Sequence, residues 1–149
     1  MHLDNAISDL HKAHQTGQQK YTYFLLAAAG AAVGFAVQKT EGLKLSLWLL
    51  PVALATVSWG ASFFFGCRHL IWVQTTIYAN FNLLQLTQGS HPEQPSHPAG
   101  VEAAVRGVKS ALENNGNKAQ FYAVWQFRLL VTGAVFFIAW RVIEMARIS

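Results

Sequence analysis

The chain has 149 residues, of which 52% are hydrophobic and only 12% charged. A soluble domain carries about 25% charged residues, so much of this exterior does not meet water, and lipid is the solvent that tolerates it. The formal net charge of +4 comes from 11 Lys and Arg residues scattered around the apolar runs without a basic patch, which argues against nucleic acid as a partner.

The first dozen residues place Leu3, Ile7, Leu10 and Ala13 at helical spacing, with Asp4, Asp9 and Lys12 on the remaining faces. The spacing predicts a short amphipathic helix over residues 1–20, loosened between Gln15 and Gln19 by Gly17. No continuous apolar core precedes Lys20, so this segment is not read as a cleavable signal. Lys20, Tyr21 and Tyr23 set a cation beside amphipathic rings that prefer headgroup depth.

Residues 21–37 are free of charge and reach about 25 Å as a helix, enough to cross the hydrocarbon core with their flanks. The first span is therefore placed at 21–38. A polar turn containing Lys39, Glu41, Gly42 and Lys44 leads to a second uncharged run, 45–66, and a second span is placed at 43–66. So short a connection predicts antiparallel neighbours, a transmembrane hairpin. Pro51, within the first two turns of the second helix, is expected to leave a carbonyl unpaired unless a kink or a neighbour compensates.

Cys67, Arg68 and His69 interrupt the run without a turn signal. Leu70, Val73, Ile77, Phe81 and Leu84 then resume helical periodicity, so the second helix is expected to continue out of the bilayer to residue 88. Its other face carries Gln74, Thr75, Asn80, Asn82, Gln85 and Gln88, polar without charge, as suits a wet lumen or contacts between helices. A fourth span over 70–86 is the alternative, disfavoured because the central amides are costly to insert.

Pro92, Pro95 and Pro98 mark a loop over 89–100. Val101, Ala104, Val105, Val108 and Leu112 form the stripe of a modest helix, with Asn114, Asn115, Gly116 and Asn117 read as its end, so residues 89–118 make a loop and small helical head. A third span is placed at 120–147, its apolar part at 121–140 and Trp125 and Trp140 as belt residues. The predicted fold is an all-α integral membrane protein in a single domain: a transmembrane helical hairpin plus a third C-terminal span, with short amphipathic extramembrane helices. Flanking cations favour a cytoplasmic N-terminus and head, with Lys12, Lys20, Arg68, Arg106, Lys109 and Lys118 inside against Lys39, Lys44, Arg141 and Arg147 outside. The expected location is a bacterial inner (plasma) membrane.

Arg128 is the one cation inside the apolar part of a predicted span. No acidic residue lies inside the apolar parts to pair with it, so snorkelling toward the Gln120 end is preferred to an inward role lining an anion path. Candidate helix-packing residues are the Gly30 and Gly34 pair of the first span and Ser58, Ser62 and Gly66 of the second, because small residues four apart let backbones approach. They serve packing either within one chain or between copies. His91 and His97 recur in a repeated Ser-His-Pro around Glu93, and Cys67 lies near His69. Neither pair has zinc-site spacing, and His2, His11 and His14 read as polar-face residues, so no metal or cofactor is expected. A single cysteine also excludes an intrachain disulfide.

No nucleophile with a partnered base, paired carboxylates or phosphate-cradling loop is present, and the chain is not expected to be an enzyme. The first functional expectation is a homo-oligomeric pore or channel-like assembly lined by Gln74, Asn80, Asn82 and Arg128, since three spans are too few to enclose an aqueous path. The alternative is a non-conducting anchor or scaffold whose head docks a protein partner. Beyond the lipid bilayer, the expected partners are thus further copies of the chain or a protein bound through the head.

Overall fold

A computed structural model describes the backbone of residues 2–44 and 46–148 and the side chains of 16–44 and 46–147. Three long helices account for nearly all of it: α1 (His2–Thr40), α2 (Leu50–Gln88) and α3 (Pro98–Ile148), with a 3-10 turn at Leu47–Leu49 ahead of α2. Among the described residues there is no strand. At 39, 39 and 51 residues the helices run about 58, 58 and 76 Å, each well beyond the roughly 30 Å of a hydrocarbon core. Each contains a stretch apolar enough to cross a membrane. The chain is a small multi-pass, all-α integral membrane protein with three membrane-spanning helices.

The exposed surface carries the physical argument. Phe24, Phe35, Val57, Phe64, Val135 and Ile138 are all about half exposed or more, a set that water would penalise and acyl chains accept.

Two compact units make up the chain: Met1–Gly66 with Trp125–Ser149, and Cys67–Val124. In the first, three helices meet through heptad-like inner faces: Thr22, Leu25, Ala29, Ala32 and Ala36 of α1; Val52, Ala55, Trp59, Ser62 and Gly66 of α2; Gln126, Leu130, Gly133, Phe137 and Trp140 of α3. Steps of three and four residues are those of helices crossing at a shallow angle with knobs set in holes. Ala36, Val52, Ala55, Trp59 and Trp140 form the core, and Phe137 stacks obliquely on Trp59 and Trp140 at 5.6 and 5.4 Å between centroids.

The second unit is a hairpin of the C-terminal part of α2 and the N-terminal part of α3. A Schellman motif ends α2: Gly89, at φ 72°, and Ser90 donate their N–H groups to Leu86 and Gln85 carbonyls at 3.4 and 3.0 Å. The Gln94 amide adds a bond to the Leu86 carbonyl at 3.2 Å. His97 offers its carbonyl to Gly100 and Val101, and Pro98, which has no N–H to lose, opens α3.

Several boundaries differ from the sequence expectation. Gly17 does not loosen α1, which runs unbroken. One interior glycine costs only about 1 kcal/mol, and no proline follows to force a stop. The side chains of Leu3, Ile7, Leu10, Ala13, His2, His11 and His14, and residue Leu45, lie outside the described residues. Likewise Asn114, Asn115, Gly116 and Asn117 do not end a helix, because α3 continues through them and Asn115 is buried against the hairpin. There is accordingly no separate head helix, and the proline-rich loop is shorter than expected, since Pro98 and Gly100 are already helical.

Pro51 causes no defect. The 3-10 turn gives the Leu47 carbonyl to the Leu50 N–H, so the acceptor that a residue at 51 would have used is already satisfied. Cys67 sits half-buried within α2, which continues through it as expected.

Candidate functional site

Lipid-embedded helices gain little from excluding water between them, so polar contacts and close approach decide how they pack. In the first unit α2 and α3 use both. The Trp59 indole Nε1–H donates to the Leu130 carbonyl at 3.1 Å, and the Ser62 hydroxyl donates to the Gln126 carbonyl at 2.7 Å. One turn apart on α2, these two donors clamp α3 at two successive levels. Glycines face each clamp. A Cβ at Gly133 would lie 2.5 Å from Trp59 Nε1, and one at Gly66 would lie 2.5 Å from Gln126 Nε2 and 2.7 Å from Leu26 Cδ2. Gly66 is thus the point where all three helices converge.

Gln126 is 1% exposed, and its amide nitrogen has no hydrogen-bond partner among the described residues. Of the candidate packing residues, Ser62 and Gly66 enter this contact, Ser58 is half-buried beside it, and Gly30 and Gly34 do not take part. Both glycines of that pair are exposed, with open space where a Cβ would stand.

The clamp residues Trp59, Gln126 and Gly133 were not singled out from sequence. The available signal was the 126, 130, 133, 137, 140 spacing on α3, obscured by the adjacent Arg128 and the surrounding apolar run.

Arg128 is exposed on the outer face of α3. Its guanidinium carbon lies 5.6 Å from the Trp125 ring centroid, toward the N-terminal end of the helix. That is the direction in which helical side chains lean, and it fits a snorkelling cation resting on a belt aromatic. An inward position within the bundle is not observed.

In the second unit the arm of α2 turns Trp72, Val73, Thr76, Ala79, Leu83 and Leu86 inward. Gln74 and Asn80 are exposed and Asn82 is half-buried. They do not form a purely polar face as expected, since Ile71, Ile77, Tyr78, Phe81 and Leu84 share the exposed side. The hydroxyls of Thr75 and Thr76 are spent on the Ile71 and Trp72 carbonyls of their own helix, at 2.9 and 2.8 Å. On α3 the expected stripe of Val101, Ala104, Val105, Val108 and Leu112 turns inward, so it serves the hairpin.

Two cations brace that hairpin: Lys118 Nζ sits 4.4 Å from the Trp72 ring centroid, and Arg68 5.7 Å from that of Tyr122. His69 Nδ1, carrying the ring proton, donates to the Ala119 carbonyl at 2.8 Å. His91 Nδ1 accepts from the Glu93 N–H at 3.1 Å within the loop. Among the described residues no group of three or more His, Cys, Asp or Glu side chains is arranged to hold a metal ion.

No protein-family model, curated protein or solved structure matches the chain.

Proposed function

We propose that the protein is a self-associating membrane subunit, several copies of which enclose a pore. The observation that carries this reading is the exposed Gly30 and Gly34 pair on α1, with no described residue within 4 Å of a Cβ at either position, a surface on which a second copy would pack. The core of a single copy is filled by Trp59, Phe137 and Trp140, so any aqueous path has to lie between copies. Arg128 of the first unit and Gln74 and Asn80 of the second are exposed and available to such a path.

The test has two stages. Native mass in detergent should show a defined multimer that Gly30→Leu with Gly34→Leu reduces to a monomer of unchanged helicity. Liposomes holding the wild type should leak ions, with Asn80→Leu or Arg128→Leu suppressing the leak. A monomer in both detergent and nanodiscs would defeat the proposal.

A second reading, a non-conducting scaffold, draws on the apolar residues Ile77, Phe81 and Leu84 left exposed on the α2 arm. A multimer that leaves liposomes tight, together with a partner lost on Phe81→Gln, favours it.

A further inference from the structure

The first unit holds a cavity of about 320 Å3 between the α1–α2 connection and the last turns of α3, within the size range of small-molecule sites. Lys44, Ser46 and Trp48 line it from the connection, and Trp140, Glu144 and Arg147 from α3.

Its depth follows from the sequence on either side. The uncharged run of α1 ends at Val37, directly before Gln38 and Lys39, and that of α3 ends at Trp140, directly before Arg141. The cavity therefore opens where hydrocarbon gives way to headgroups, and Trp48 and Trp140 are the amphipathic rings that such a level favours.

Its charge is unbalanced. Glu144 is bonded to the Arg141 guanidinium at 2.7 Å, so its carboxylate is already compensated. Lys44 and Arg147 form no ion pair among the described residues. Arg147 instead lies 5.3 Å from the Trp48 ring centroid, which holds its fork at the cavity.

We propose that this cavity binds the phosphate of a glycerophospholipid headgroup. Lys44 supplies a compact charge, Arg147 a fork that matches phosphate oxygens, and the Trp48 and Trp140 rings pack on the glycerol backbone. The site belongs to one chain and does not depend on whether copies assemble.

The test is retention of added lipid by the purified full-length chain in native mass spectrometry, with phosphatidylglycerol and diacylglycerol as probes. Phosphatidylglycerol should be retained and diacylglycerol, which lacks the phosphate, should not. Lys44→Gln with Arg147→Gln should weaken phosphatidylglycerol retention by roughly tenfold or more, the scale of a lost charge-assisted bond. Arg106→Gln with Lys109→Gln, which removes the same charge from the other unit, should leave retention unchanged.

Unaltered circular dichroism in both double variants establishes that the fold is intact. Competition by millimolar inorganic phosphate upholds phosphate recognition and admits the free ion as a ligand, whereas its failure assigns the site to the lipid. Equal retention by wild type and Lys44→Gln with Arg147→Gln, or equal retention of diacylglycerol, overturns the proposal.

Discussion

Two glycines on inner and outer helix faces should respond oppositely to the same change. A Cβ at Gly133 would stand 2.5 Å from Trp59 Nε1 and 2.6 Å from Cδ1, about 1 Å inside ordinary contact, and the obstacle is a rigid buried ring. Relief requires Trp59 to withdraw, which stretches its 3.1 Å bond to the Leu130 carbonyl past usefulness. Overpacking costs about 1–3 kcal/mol, and an interhelical bond in lipid is worth about 0.6 kcal/mol, rising to about 1.7. The gain in helix propensity from glycine to alanine offsets about 1 kcal/mol. Gly133→Ala is therefore expected to lose about 0.6–3.7 kcal/mol.

Gly60 lies on the exposed side of α2 with nothing within 4 Å of its would-be Cβ, so Gly60→Ala should gain up to about 1 kcal/mol from propensity alone. The assay is reversible unfolding in mixed detergent and SDS micelles, followed by helical circular dichroism. Equal stability of the two variants would refute the packing of Trp59 on Gly133.

Other substitutions probe the same structure at separate points. Ser62→Ala removes a 2.7 Å interhelical bond and should cost about 0.6 kcal/mol, at most about 1.7, in the same unfolding assay. Asn115→Pro should cost about 3 kcal/mol and lower helicity, because α3 is continuous there; a turn at Asn114–Asn117 would instead absorb it without loss. Pro51→Ala should be neutral or destabilise by no more than about 1 kcal/mol, since the Leu47 carbonyl is already bonded, whereas marked stabilisation would reveal a kink that the proline imposes. Arg128→Leu should leave membrane insertion and helicity unchanged, and a defect in either would show that Arg128 does more than rest on Trp125 at the interface.

The three apolar helices were legible because their signal is long: an apolar run near twenty residues, uncharged in the first two helices and broken only by Arg128 in the third, matches the thickness of a hydrocarbon core and exceeds what a buried helix in a small soluble domain needs. Gly89 and the prolines announced the loop through backbone rules that hold locally, but its end was read at residue 100, whereas Pro98 already opens α3. The helix ends misread at Gly17 and Asn114–Asn117 have a common cause. Glycine and asparagine only weaken a helix and do not end it by themselves; at Asn115 burial in the hairpin adds to this, which a linear sequence does not display.

Packing residues were legible by size but not by partner. Gly30 with Gly34 and Ser62 with Gly66 follow the same small-residue rule, yet only the second pair meets a neighbouring helix, because Gln126 and Leu26 stand opposite it. The mixed face of the α2 arm was missed for a related reason: Ile77 and Phe81 were placed on an apolar face with Val73, opposite the amides, while the hairpin buries Trp72, Val73 and Thr76.

Three crossings, an odd number, require the two ends of the chain to lie on opposite sides of the membrane. Tags at Met1 and Ser149, probed by protease in sealed, uniformly oriented vesicles before and after detergent, measure this directly. One tag should be cleaved from outside and the other protected until the bilayer is dissolved. Cleavage of both tags, or protection of both, in intact vesicles would contradict a three-span fold.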